Sequence, residues 1–234
     1  RPLGYEPNEL PTALPRDLEA KYTSIIFFEQ NIRTLIYLCN VKVKKHQSGF
    51  ITIMGNPNVG KSTLMNSLMG LDLSIITHKA QTTRHRILGI VSGDNYQMVL
   101  SDTPGIIKPA YEMQNSMMNF VKEALDDADV LIYMVSIGET KIKDEMLLKK
   151  IQNSKIPVIV LINKIDISNQ DEVTVFLKHW EKLIPNSSIY SISALTGFFI
   201  PELIDILKSH LPDGPEYFPK DQITDKPERF FVNE

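Results

Sequence analysis

The stretch Gly55-Asn56-Pro57-Asn58-Val59-Gly60-Lys61-Ser62-Thr63 constrains this chain more than any other. It fits the phosphate-binding pattern G-x-x-x-x-G-K-[ST], in which each fixed position has a physical task. Glycines at both ends let the backbone curl until successive N–H groups point at phosphate oxygens with no Cβ in the way. Lys61 then serves as a point charge on the outer phosphates, and the Ser62 hydroxyl as a ligand for the accompanying Mg²⁺. The flanks agree with this reading. Phe50 to Met54 is an apolar, β-branched run that predicts a buried strand, and Thr63 to Met69 continues as a helix closed by Gly70. Strand, loop and helix N-terminus follow one another as anion binding requires.

From Gly49 onward, strands and helices alternate with little chain between them. Arg86 to Val91 and Gln97 to Leu100, joined by Ser92-Gly93-Asp94-Asn95, predict an antiparallel hairpin. Met113 to Ala124 predicts a helix. Val130 to Val135 and Val158 to Ile162 are continuous apolar runs, as in parallel strands covered on both faces. Helices are expected over Lys143 to Ile151, Val173 to Leu183 and Pro201 to His210, with a last strand at Ser188 to Ile192. The predicted fold is α/β: a doubly wound, mostly parallel sheet with one antiparallel edge strand. Such sheets bind ligands at the carboxyl ends of their strands, and each motif found here follows a predicted strand.

Bulk properties narrow the partners. A chain of 234 residues, 43% hydrophobic and 23% charged, is long enough for one substantial domain plus appendages. Its net charge of -3 gives no overall pull toward nucleic acid, so such a contact needs a local basic patch or a further segment. Cys39 has no second cysteine to pair with, which suits a reducing compartment. No apolar run reaches the length of a membrane span. Residues 1–45 are rich in proline at first and irregular afterwards. They are expected to be a disordered extension or translated upstream sequence, with the working protein beginning near His46.

Three further motifs complete a nucleotide site. In Asp102-Thr103-Pro104-Gly105, the carboxylate at a strand end can hold Mg²⁺ and the Gly105 N–H can face the terminal phosphate. Alone this is an ordinary β-turn; after a phosphate loop it has a purpose. In Asn163-Lys164-Ile165-Asp166, the Asp166 carboxylate can accept from both N1–H and the exocyclic amine of guanine, donors that adenine does not present together. A buried carboxylate left unpaired by the wrong base discriminates by roughly 10⁴-fold or more, which argues for GTP over ATP and against a P-loop kinase or ATPase. Asn163 is expected to brace neighbouring loops, and the Lys164 stem to cover base and ribose. Ser193-Ala194-Leu195 offers the Ala194 N–H to the guanine carbonyl oxygen. Between these motifs, Lys79 to Arg86 lies where a loop would close over the γ-phosphate. Thr83 or Thr82 is the candidate Mg²⁺ ligand, with Thr83 favoured. Arg84, His85 and Arg86 read either as a solvated basic cluster or as contacts for an RNA phosphate or a partner.

Together, Gly55–Thr63, Ala80–Arg86, Asp102–Gly105, Asn163–Asp166 and Ser193–Gly197 resemble the translation-factor-related P-loop GTPases. Gln81-Thr82-Thr83-Arg84-His85-Arg86 and Ser193-Ala194-Leu195-Thr196-Gly197 are most similar to the Era family of bacterial ribosome-assembly GTPases. The tail, Leu211 to Pro219 and Thr224 to Phe230, resembles that family's connection to its RNA-binding domain.

The resemblance implies binding of GTP and GDP with Mg²⁺ and hydrolysis of GTP, with slow turnover. It further implies a cytoplasmic switch in small ribosomal subunit biogenesis and rRNA processing, with peripheral contact at the inner face of the cell membrane, and a monomer is expected. Lys61, Asn58, Thr83, Asp102 and Gly105 would carry the chemistry electrostatically, and Ser62, Thr83 and Asp102 would hold the metal. Ile106 stands where Ras-type GTPases keep a water-orienting glutamine. Asn58 matches a position that coordinates K⁺ in related GTPases. The family's RNA contact is a KH domain with a G-x-x-G loop, and no two glycines here are three residues apart. The expected organisation is therefore a GTPase domain over 46–212 and, over 213–234, a linker toward an absent KH domain.

Overall fold

The computed structural model describes residues 45–74, 76, 83, 85–107, 109–142 and 145–227. The expectations for residues 1–44, Thr82, Arg84, the helix start at Lys143 and the segment Glu228–Phe230 fall outside them.

Strand β1 (Gln47–Gly55) enters the phosphate loop, and α1 (Lys61–Met69) leaves it. The hairpin β2 (Ile87–Ser92) and β3 (Tyr96–Asp102) follows, then α2 (Glu112–Asp126), β4 (Val130–Ser136), α3 (Glu145–Gln152), β5 (Val158–Asn163), α4 (Gln170–Leu183), β6 (Ser188–Ser191) and α5 (Ile200–His210). The six strands lie in the order β2-β3-β1-β4-β5-β6. All neighbours are parallel except β2 and β3, so the antiparallel strand is at the edge as expected. Helix α1 starts at Lys61, two residues before the predicted Thr63, because Gly60 adopts φ 102° and turns the loop directly into the helix. Gly70 ends that helix at φ 69°, donating its N–H to Asn66 O. At α4, Asn169 is the N-cap: its side chain accepts from Glu172 N at 2.9 Å and starts the helix before Val173.

The apolar runs divide by alternation between the two faces of the sheet. Val130, Ile132 and Met134 of β4, with Ile159 and Leu161 of β5, pack in one cluster with Leu64 of α1 and Leu203 and Leu207 of α5. Leu131, Tyr133 and Val135, with Val160 and Ile162, pack in the other with Val121 of α2 and Trp180 of α4. Each such side chain contributes about 1.5–3 kcal/mol by leaving water. The central strands therefore hold the loops at their carboxyl ends on a stiff base.

Residues 213–227 differ from a simple linker. The tail runs back under β1 and β3, where Gln97 receives it. Gln97 Oε1 accepts from Tyr217 N (2.7 Å) and Phe218 N (3.0 Å), and its Nε2 donates to Phe218 O (2.8 Å) and Ser92 Oγ (3.1 Å). Further on, Ile90 N donates to Ile223 O at 2.9 Å and Leu88 N to Asp225 Oδ1 at 3.2 Å. The tail thus occupies the open edge of β2, satisfying backbone groups that an exposed edge would leave free.

Candidate functional site

The phosphate loop is built from residues that a larger side chain would displace. A Cβ on Gly55 would meet Met134 O at 2.2 Å, and one on Gly60 would meet Asn163 Nδ2 at 2.4 Å. Asn58 itself adopts the left-handed region at φ 62°. Lys61, only 7% exposed, donates to Asn56 O (3.0 Å) and Gly55 O (3.3 Å). Burial pushes its ammonium down to about 8, against the opposing charges of Asp102 and Glu139.

Three oxygens from three separate segments, the first turn of α1, the stretch before β2 and the end of β3, converge beside it. Ser62 Oγ donates to Asp102 Oδ2 at 2.7 Å, and Thr83 Oγ1 lies 3.2 Å from Ser62 Oγ and 3.4 Å from Asp102 Oδ2. Asp102 is buried, and burial pushes its carboxyl up while Lys61, Ser62, Ser74 and Thr83 hold it down. Its second oxygen, Oδ1, is buried with no hydrogen-bond partner. An all-oxygen set with a spare carboxylate oxygen suits a hard divalent cation.

The Asp102 loop is clamped to the phosphate loop. Thr103 Oγ1 donates to Ile53 O (2.7 Å), Ile106 N donates to Gly55 O (3.0 Å), and a Cβ on Gly105 would meet the Pro57 backbone at 2.8 Å. Pro104 is buried with them. Ile106 itself is 4% exposed and packs in the core, so it presents no polar atom to a water.

At the base-binding end, Ser193 Oγ donates to Asp166 Oδ1 at 2.6 Å and accepts from Thr196 N at 3.2 Å, which aims the carboxylate. Asn163 Nδ2 donates to Val59 O (2.8 Å), tying the two motifs together. Lys164 Nζ donates to Asn58 O at 2.7 Å, so its stem bridges the base-binding and phosphate loops. The Ala194 N–H, expected on the guanine oxygen, donates here to Asn163 Oδ1 at 2.9 Å. Leu195 is exposed at the mouth.

The family model for 50S ribosome-binding GTPases matches residues 50–164 of the sequence. GTPase Era of Staphylococcus haemolyticus is 41% identical over 191 residues, 81% of this chain and 64% of the relative. A crystal structure of Era with MgGDPNP and a 16S ribosomal RNA segment superposes with TM-score 0.76 at 39% identity, covering 80% of this chain and 64% of that one. Over the matched residues this chain has the P-loop GTPase fold and is similar to the Era GTPases. A second Era structure, an Aquifex aeolicus variant bound to GDP and aluminium fluoride, gives TM-score 0.75 at 39% identity, with coverage of 80% and 64%. The chain thus spans about two thirds of the length of these Era proteins, 64%.

Two parts of the Era-type site differ from the reading of the motifs. Arg86 is neither a solvated charge nor a spare phosphate contact: its Nη1 pairs with Asp127 Oδ2 at 2.6 Å and its Nε donates to Ser101 Oγ at 2.8 Å. His85 is exposed, with its ring 5.7 Å from that of Phe120. Glu139, in the turn after β4, faces the phosphate loop and was not in any motif. The sole sequence signal for it was an acidic residue following a Gly turn at a strand's carboxyl end.

Proposed function

We propose that this chain binds guanine nucleotide with Mg²⁺ and hydrolyses GTP to GDP and phosphate. It would act as a nucleotide-dependent switch in small ribosomal subunit assembly in the cytoplasm, with rRNA as the partner. What carries the reading is the meeting of Ser62, Thr83 and Asp102 beside the buried Lys61. The unpartnered Asp102 Oδ1 fits these residues to Mg²⁺, which when bound neutralises charge on the phosphates.

The chain's own residues would work by position and charge. The amides of Asn58 to Thr63 cradle the phosphates, Lys61 leaves the carbonyls of Gly55 and Asn56 for the outer phosphates, and the Gly105 N–H faces the γ-phosphate. Thr83 closes over it and loses that contact when the γ-phosphate departs, coupling loop order to nucleotide state. Asp166, aimed by Ser193, selects guanine. Since Ile106 is buried, the attacking water must be oriented by backbone groups or through Asn58 and K⁺. The rRNA role is supported by the relative whose structure holds 16S rRNA. Residues 46–227 form the GTPase domain in this proposal.

The test is hydrolysis in potassium against sodium buffer, with ATP in parallel and Asn58→Ala alongside. GTP-specific turnover stimulated by potassium and lost to that variant is expected. Tight GTP binding without turnover would leave a switch that needs the ribosome as activator, and equal use of ATP would overturn the assignment of Asp166.

A further inference from the structure

Glu139 lies in the turn that follows β4, outside every motif. Its backbone is fixed twice, the N–H donating to Ser136 O at 3.1 Å and the carbonyl accepting from Trp180 Nε1 at 3.2 Å. Gly138, at φ 94°, makes the turn tight enough to point the side chain back at the site. The carboxylate then bridges two loops: Oε2 accepts from Ser136 N at 3.2 Å and Oε1 from Asn56 Nδ2 at 3.2 Å. Asn56 is 3% exposed, and its carbonyl is one of the two on which Lys61 rests. A line of direct contacts therefore runs from Trp180 on α4 through Glu139 and Asn56 to the lysine. The Glu139 charge also favours the ammonium form of Lys61.

We propose that Glu139 is a positioning residue for the nucleotide's phosphates: through Asn56 it holds the first peptides of the phosphate loop, and with them the approach of Lys61. This rests on the GTP-binding reading above. A charge-assisted bond to a carboxylate is roughly twice as strong as a neutral one, so it fixes a buried amide that would otherwise be poorly held. The contact exists before any substrate arrives, so it acts on substrate and transition state alike. Its loss should raise KM more than it lowers kcat.

The carbonyl oxygen of the Asn56 side chain, buried and without a partner, makes the pair testable without deleting volume. In Glu139→Gln the new carbonyl can still accept from Ser136 N, while Asn56 turns its amide to offer Oδ1 to the new N–H groups. Asn56→Asp, by contrast, sets carboxylate against carboxylate. The probe is affinity for N-methylanthraniloyl-GDP, with KM and kcat for GTP, in the wild type and in four variants: Glu139→Ala, Glu139→Gln, Asn56→Asp and the double variant. Glu139→Ala should weaken affinity and raise KM about tenfold with kcat within about threefold, and Glu139→Gln should stay within about threefold of wild type throughout. Asn56→Asp should lose about tenfold or more, and adding Glu139→Gln should recover most of it, a coupling that independent sites would not give. Asn56→Asp and Glu139→Gln are near-isosteric, so the cycle remains readable even where the alanine variant fails to fold. A wild type that binds no guanine nucleotide overturns the GTPase reading itself. A wild type that binds, with Asn56→Asp equally weak in both backgrounds, overturns the positioning role alone.

Discussion

Ser62 Oγ donates to Asp102 Oδ2 at 2.7 Å, joining the first turn of α1 to the end of β3 across 40 positions of chain. Both are proposed ligands of one cation, and the bond between them holds the pair close in its absence. Removing one ligand should therefore weaken nucleotide binding only where the metal contributes to it. Ser62→Ala is expected to lower GTP affinity about tenfold or more in Mg²⁺, a shift of at least 1.4 kcal/mol. In EDTA the variant and wild type should nearly coincide. Titration of labelled GDP and a non-hydrolysable GTP analogue under both conditions reads this directly, and an equal loss in EDTA would mean that Ser62 acts on the phosphates or the fold instead.

Asp166 is aimed by the Ser193 hydroxyl at 2.6 Å, leaving its other oxygen for a ligand. Replacing the acceptor by an amide puts a donor where guanine also donates. Asp166 is exposed without a ligand, so the cost arises where the bound base covers it: Asp166→Asn should lose roughly 10²-fold or more in GTP affinity, since a polar mismatch sealed from water costs a few kcal/mol. Xanthine carries a carbonyl where guanine carries the amine, so the variant should gain affinity for xanthosine triphosphate. Competition of the two nucleotides for the variant measures the exchange, and retention of GTP preference would remove Asp166 from the base-reading role.

Much of this architecture was legible because its signals are short. The phosphate loop needs only contiguous residues, and Val130 to Val135 marks a doubly covered strand without any partner being known. The Asp102 and Asp166 motifs gained meaning from their order along the chain. Long-range polar pairing was not legible. Gln97 holds a tail 120 positions away, and Glu139 reaches back 83 positions to Asn56. Arg86 looked like part of a basic cluster because its partner Asp127 is 41 positions on, brought near by the packing of α2 under the sheet. Composition and periodicity locate elements; they do not state which buried amide faces which backbone.

Lys61 pits affinity against stability. Its ammonium is pushed from 10.5 down to about 8 by burial, so the unfolded chain holds that proton more tightly than the folded one. Below pH 8 the buried charge subtracts its full cost from stability, and the cost is relieved as pH rises from about 8 toward 10.5. Lys61→Met should therefore stabilise the nucleotide-free domain at pH 7 by up to about 3 kcal/mol, each pKa unit being worth about 1.4 kcal/mol. The advantage should shrink steadily above pH 8. Thermal unfolding of both proteins between pH 7 and 10 checks the sign, and a gap that widens with pH would contradict it.

The tail is predicted to belong to the domain that it leaves. Gln97 is fully buried and spends its amide on the backbone of Tyr217 and Phe218, while the Tyr217 ring lies 5.3 Å from that of Phe50. Ser48 Oγ adds a bond to Pro215 O at 2.6 Å. Cutting the chain after Pro212 would free Gln97 and the edge of β2 together, whereas cutting after Pro227 would spare both. Each buried polar group left unpaired costs about 1–3 kcal/mol, so a 45–212 fragment should unfold at a clearly lower denaturant concentration than a 45–227 fragment. Gln97→Leu in the longer fragment should reproduce part of that loss of stability, because it leaves the Tyr217 and Phe218 amides unpaired with the tail still present. Hydrogen exchange separates the two effects. The Ile90 amide, bonded to Ile223 O at 2.9 Å, should exchange fast in the shorter fragment and slowly in the longer one. Equal protection of Ile90 in both would return residues 213–227 to the status of a free linker.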